Sequence, residues 1–269
     1  MNVKFTHYLI TRFNVPVNNW ETDKNGRPVL DHQWMENRLD LFAQYCVPTI
    51  TQQTEKEFRW LLYCARHTHQ SFFERIQELT TDIPQAEIVL VDHFDELLVD
   101  LRKRMATDNT PYVISSRLDN DDGLGAHFIA NVQKCFSARD KLIINFTEGV
   151  LYDRSRGILT EIRNSLRNHY GSLIESMQDG KPLITVMGYP HGIPPEGSTI
   201  VDVRERYAWL KVIHDRNMAS KANGIPTLRK GIPSAFNLAP ETLKVSWIHT
   251  LWFVLKKSVS RLKRIITLR

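Results

Sequence analysis

The feature that most constrains this chain is an alternation. Short apolar, β-rich runs take turns with longer stretches of helical period through the first 146 residues. Residues 7–13, 58–64, 86–91, 112–118 and 141–146 read as strands, because β-branched and aromatic side chains crowd short runs bounded by turn residues. Residues 35–45, 71–79, 97–105 and 127–136 read as helices; Met35, Leu39, Phe42 and Cys46, for example, recur at helical spacing. The polar stretch 18–31 is a loop. Strand and helix in this order imply right-handed crossovers, so the expected fold is α/β, a mostly parallel sheet flanked by helices. Ligands of such sheets bind outside the carboxyl ends of the strands. After residue 146 the pattern loosens. Helical character is expected in parts of 159–177, strands at 183–187 and 207–213, and irregular chain through the Pro- and Gly-rich 188–197. One domain over 1–235 is expected, with a basic amphipathic tail over 236–269.

Charge divides the chain the same way. Seven of the 35 Lys and Arg residues follow Glu241 and no acid does, which leaves 28 basic against 30 acidic residues before them. The net charge of +5 is therefore a property of the tail. A nucleic-acid-binding body would spread its cations over a face, so no nucleic-acid partner is expected. Cys46, Cys64 and Cys135 are odd in number and lack metal-ligand spacing, which fits free thiols in a reducing compartment. The N-terminal residues lack the apolar core of a signal peptide. The apolar stretch 247–255 is far short of the roughly 20 residues that span a bilayer. A cytoplasmic protein is expected, peripheral on the inner face of the cell membrane.

The most chemically loaded segment is Arg117-Leu118-Asp119-Asn120-Asp121-Asp122-Gly123, at the end of the fourth expected strand. Three carboxylates this close repel one another unless a cation screens them, and Mg²⁺ or Mn²⁺ prefers hard oxygen ligands shared with substrate phosphates. Asp121 and Asp122 are candidate metal ligands, and Asp119 is placed to hold a ribose hydroxyl. The bland alternative is a solvated turn, since Asp and Asn favour turns for local backbone bonds. His214, at the end of the late strand, is a candidate third ligand or an ordinary hydrogen-bonded histidine. Arg117 and Arg12 are candidates to neutralise substrate phosphates, or to pair simply with a nearby acid.

Several motifs together resemble the bacterial rhamnosyltransferase family, related to GT-A glycosyltransferases. They are Arg12-Phe13-Asn14, the segments 34–42 and 48–54, Phe58-Arg59-Trp60-Leu61, Ser116 through Asp122, and Trp209 through Asn217. The resemblance runs in order from about residue 5 to about 220. It implies a GT-A-like fold, a nucleotide-diphosphate-sugar donor such as a dTDP- or UDP-sugar, and a divalent cation. Arg12, Phe13 and Asn14 would lie near the donor base, Asp119 near its ribose, and Asp121 or Asp122 on the metal. His214 would contact metal or diphosphate, with Asn217 beside the donor. Asp215 and Arg216 depart from the glycines the family carries after this histidine, which puts donor choice in question.

An inverting transfer needs a carboxylate to deprotonate the acceptor. Among Glu148, Asp153, Glu161, Glu175, Glu196 and Asp202, Glu175 is the first candidate because residues 168–175 look like an ordered piece of the same family, and Asp202 is the second. His191, in a Pro/Gly loop, is a weaker acceptor-side candidate.

In the tail, Leu251, Leu255, Val259, Leu262 and Ile266 form a helical stripe beside Lys257, Arg261 and Arg264, with Trp247, Trp252 and Phe253 as interfacial aromatics. That is the pattern of a helix lying on an anionic membrane surface, or of one packed on the domain. The reading is a metal-dependent transferase moving a sugar, rhamnose by resemblance, to a surface-glycan or lipid-linked acceptor. Its rivals are a metal-dependent phosphohydrolase or nucleotidyltransferase, and a non-catalytic membrane scaffold.

Overall fold

A computed structural model describes residues 4–17, 21–23, 25–178, 180–190, 192–216 and 223–266, with side chains as far as residue 256. The strands in chain order are β1 (Phe5–Arg12), β2 (Arg59–Ala65), β3 (Ala86–Val91), β4 (Tyr112–Arg117), β5 (Gly123–Leu124), β6 (Leu142–Phe146) and β7 (Gly149–Asp153). They continue with β8 (Ile158–Ile162), β9 (Ser172–Ser176), β10 (Thr199–Val203), β11 (Trp209–Ile213) and β12 (Ile225–Pro226). The helices are α1 (His32–Leu41), α2 (Val47–Thr51), α3 (Gln70–Thr80), α4 (Phe94–Ala106), α5 (Phe128–Lys134), α6 (Ile232–Ala235) and α7 (Trp247–Ile266).

Seven strands form the main sheet in the order β10-β6-β9-β4-β1-β2-β3. All its pairings are parallel except those of β9, which runs antiparallel between β4 and β6. The expected mostly parallel α/β sheet is therefore present, and its first five strands lie within a residue or two of their expected places. Strand alternation sends Leu9, Trp60, Leu62 and Ile114 to one face, under α1, α3 and α5. It sends Tyr8, Ile10, Leu61, Tyr63 and Val113 to the other, under Leu97, Leu101 and Met105 of α4.

Between α1 and α2 the chain widens into a π-helical turn, Phe42–Cys46, that buries Phe42, Tyr45 and Cys46. Pro48 follows it and has no N–H for a regular helical ladder, so the register shift falls where that ladder must break.

Two expectations fail. Residues 159–177 are not helical; they carry β8 and β9, buried along nearly their whole length, so no polar face marks a period. Residues 183–187 are not a strand. Leu183, Val186 and Met187 cap the sheet face from a loop in which Thr185 takes φ 63°, and their apolar run reflects that covering role.

A second sheet, β12-β8-β7-β11-β5, leans on the first. Ile232, Phe236, Leu238 and Leu243 are buried against its Val150, Leu159 and Val212, so the chain remains packed beyond residue 235.

Candidate active site

Strand order reverses at β1. The chain adds β2 and β3 on one side of it and β4 on the other, so the loops leaving β1 and β4 diverge and open a crevice. Residues 12–14 leave β1 and residues 117–122 leave β4. Asn120 latches the two: its Nδ2 donates to the Phe13 carbonyl and its Oδ1 accepts from Arg38, each at 2.9 Å.

Asp121 is buried, and its Oδ2 meets Arg38 Nη1 at 2.6 Å and His214 Nε2 at 2.9 Å. The second sheet closes the 93-residue gap to His214. Trp209 pairs with Leu124 and Leu210 with Gly123, so β11 runs antiparallel along the chain that leaves the acidic cluster. The Val212 N–H then reaches Asp122 Oδ1 at 2.8 Å, and His214 reaches Asp121. Tyr170 donates its hydroxyl to Asp122 Oδ2 at 2.6 Å and stacks on Trp209, centroids 5.0 Å apart and rings within 10°. The Trp209 ring in turn fills the space over Gly149, where any Cβ would collide with it.

The three carboxylates differ in state. Burial, reinforced by Asp121 and Asp119, pushes the Asp122 carboxyl well above the usual range. Burial acts the same way on Asp121, but Arg38 and His214 outweigh it and hold that carboxyl below its ordinary value. Asp119 is partly exposed and lies 3.1 Å from Arg117. Ligand atoms of all three fall within 4.8 Å of one another.

That donor set fits a hard divalent ion, with differences among its members. Asp121 is ionised, and Asp119 opens to solvent. Each Asp122 oxygen accepts one hydrogen bond, so this residue, expected as a ligand, also fastens β11 and Tyr170 to the cluster. His214 Nδ1 accepts from the Arg216 N–H at 3.2 Å, which leaves the neutral ring's hydrogen on Nε2, donating to Asp121. A ligating histidine ordinarily donates from its second nitrogen, so binding through Nε2 would require the other tautomer.

The remaining expected residues are also placed. Arg12 is half-buried, donates to the Val15 carbonyl at 3.1 Å and lies 6.0 Å from the Phe94 ring; desolvation lowers it to about 10. Phe13 points into the core against Phe42, so it offers no face to a donor base. Asn14 spends both ends of its amide on the Ala65 N–H and Thr68, tying β1 to β2. Glu175, first choice as base, accepts from the Ile184 and Thr185 amides at 2.6 and 2.9 Å; burial raises its carboxyl. It holds the 183–187 loop in place. Asp202 is exposed on β10 and accepts from Asn145 at 2.7 Å. His191 and Asn217 lie outside the described residues.

Arg38 and Tyr170 were not foreseen. Arg38 had a signal, a cation between Met35 and Leu39 on the apolar face of an amphipathic helix. Such a residue needs a buried anion.

Fold and cluster together define an α/β protein with a mostly parallel sheet flanked by helices and an acidic cluster at its strand ends. The family model described as "Putative rhamnosyl transferase" matches residues 6–225, and the chain belongs to that glycosyltransferase family. No curated protein shows significant sequence similarity to it. Among solved structures, S. aureus TarS 1–349 is similar at TM-score 0.40 and 8% identity, over 77% of this chain and 60% of that one. The same protein in complex with UDP-GlcNAc gives 0.40 and 10%, over 81% and 61%. The inositol-1-phosphate CTP transferase from T. maritima gives 0.35 and 8%, over 78% and 90%. This chain thus spans about three-fifths of the TarS chains it resembles.

Proposed function

We propose that the protein transfers a sugar, rhamnose by its family, from a nucleoside-diphosphate donor to a hydroxyl of a surface-glycan or lipid-linked acceptor, with Mg²⁺ or Mn²⁺ bound. The observation that carries this reading is an ionised, buried Asp121 clasped by Arg38 and His214 at the strand-order reversal, with the partly exposed Asp119 beside it. Asp121 is the protein's main ligand for the ion. When bound, the ion supplies Lewis-acid stabilisation of the departing diphosphate. Asp119 faces the donor ribose, and His214 backs Asp121 or turns its N–H to a diphosphate oxygen. Arg117 neutralises the donor's negative charge.

In the transfer, the acceptor oxygen forms the new bond to the anomeric carbon. The bond from that carbon to the diphosphate breaks, its electron pair leaves on the nucleoside diphosphate, and the hydroxyl proton passes to solvent. Glu175 and Asp202 serve as positioning residues, because each already holds a neighbour.

The test is a melting-temperature panel of UDP and dTDP with and without Mn²⁺, since a ligand of the folded state raises the melting point by mass action. A cation-dependent shift, lost in Asp119→Ala while the unliganded melting point stays put, is expected. No shift with any nucleotide would favour a scaffold. Turnover of the donor to free phosphate without an acceptor would favour a phosphohydrolase.

A further inference from the structure

Arg117, which holds Asp119, also lines a cleft that the donor reading does not use. Its polar floor includes Asn145, at the end of the buried β6, and His169, from the loop between β8 and β9. Val186 and Tyr189 form a wall, and Ile200 of β10 closes one edge.

Asn145 is set in a defined orientation. Its Nδ2 donates to Asp202 Oδ1 at 2.7 Å and to the Ser165 carbonyl at 3.1 Å, two partners that only accept. Both amide hydrogens are thereby committed, and the side-chain carbonyl is left as an acceptor for a hydroxyl. His169 is neutral at physiological pH, because burial lowers it to about 4.

Hydrogen bonds from the sheet and from α4 hold the wall in place. Glu175 takes the amides of Ile184 and Thr185, Ser115 Oγ accepts from the Val186 N–H at 2.9 Å, and Arg102 Nε donates to the Leu183 carbonyl at 2.8 Å. Three side chains from three elements thus fix the loop that carries Val186 and Tyr189.

The rim differs in character. Leu166 and Ile200 line the cleft while 57% and 39% exposed, and Ile193, between two lining residues, is 65% exposed. A polar floor joined to the acidic cluster through Arg117, beneath an apolar rim, matches a ligand with one hydroxylated end and one apolar end.

Building on the transfer reading, we propose that this cleft is the acceptor subsite and that its occupant is an amphiphilic glycoside. A sugar hydroxyl is accepted by Asn145 beside Arg117, and an apolar aglycone lies across Leu166, Ile193 and Ile200. Asp202 then acts through Asn145, by orienting its amide.

The test is titration calorimetry of the full chain with n-octyl β-D-glucopyranoside below its micelle concentration, against methyl β-D-glucopyranoside. The octyl glycoside should bind at least about ten-fold tighter, since each buried methylene adds to affinity. The Leu166→Asp/Ile200→Asp variant should lose that preference, whereas Trp252→Asp on α7 should keep it. Equal binding of the two glycosides, or a preference that survives the rim charges or vanishes with Trp252→Asp, overturns the assignment. The altered side chains are exposed, so the unliganded melting point should stay within about 2 °C of wild type. The nucleotide-dependent melting shift is read on the same samples. If it persists without an octyl preference, only the cleft assignment fails; if it is absent from the wild type, the transfer reading fails with it.

Discussion

Asp121 and Arg38 are each less than a tenth exposed at the side chain, so they form a buried ion pair. Such a pair adds little net stability over an apolar equivalent, but removing one partner strands the other's charge in a poor solvent. Asp121→Ala should therefore cost about 3–5 kcal/mol in urea unfolding. Adding Arg38→Met should recover at least half of that loss, because the two sites are directly coupled. Asp119→Ala, at a partly exposed site, should cost under about 0.5 kcal/mol. A loss below about 1 kcal/mol for Asp121→Ala would contradict the buried pair. His7 gives a second prediction at this scale. Its Nε2 lies 2.8 Å from Ser116 Oγ in the sheet interior, and burial lowers the ring from 6.5 to about 3. Between those values the unfolded chain binds a proton that the native protein refuses. The stability His7 contributes is therefore full above pH 6.5 and is lost as pH falls toward 3. Carboxylates titrate over part of the same range, so the informative quantity is a difference. His7→Gln should flatten the slope of unfolding free energy between pH 6 and 5 by up to about 1.4 kcal/mol per pH unit. An unchanged slope would mean that the ring is already charged in the native state.

At the scale of elements, the 183–187 loop depends on Glu175. Glu175→Ala removes the acceptor of two amides, so hydrogen exchange at Ile184 and Thr185 should accelerate, with a stability loss of about 1–3 kcal/mol. Retained protection there would show that the loop stands without its carboxylate. The same loop shows where sequence reading stops. Strands β1 to β4 and β6 were legible because each is a short β-rich run between turn signals, and the acidic cluster was legible because it follows such a run. Residues 183–187 are equally apolar but cover a sheet face instead of joining it, and periodicity does not separate those two uses. Phe13 and Asn14 leave β1 beside the crevice, but their directions depend on packing against Phe42 and on the Ala65 amide, which no local pattern encodes. His214 was a candidate on chemistry alone. Its contact with Asp121 follows from the Leu210–Gly123 pairing, a long-range register that no local pattern encodes.

At the scale of the whole molecule, the first turns of α7 turn apolar residues outward. No helix among the described residues is long and apolar enough to cross a membrane. The start of α7 is tied to the β7–β8 turn: the Ser246 N–H donates to the Gly157 carbonyl at 2.8 Å, and His249 Nδ1 lies 2.6 Å from the Arg156 carbonyl. Beyond these ties Thr250 is buried, while Trp247, Ile248, Leu251, Trp252 and Leu255 are each more than half exposed. A helix packed on its own domain would bury that stripe. The sequence places Lys256, Lys257, Arg261, Lys263 and Arg264 along the same helix with no acid among them. Apolar and aromatic groups beside a block of cations suit the interface of an anionic bilayer, and the full chain should co-sediment with phosphatidylglycerol-containing vesicles but not with pure phosphatidylcholine. Each cation near such a surface contributes about 1 kcal/mol, so Lys256→Glu/Lys257→Glu should weaken binding by at least about 2 kcal/mol, roughly thirty-fold. Raising salt should weaken wild-type binding as the Debye length shortens. Trp252→Ser should reduce it through lost apolar burial without changing that salt dependence. Equal binding to neutral vesicles, or indifference to the Lys256→Glu/Lys257→Glu change, would assign the exposed stripe to a protein partner instead.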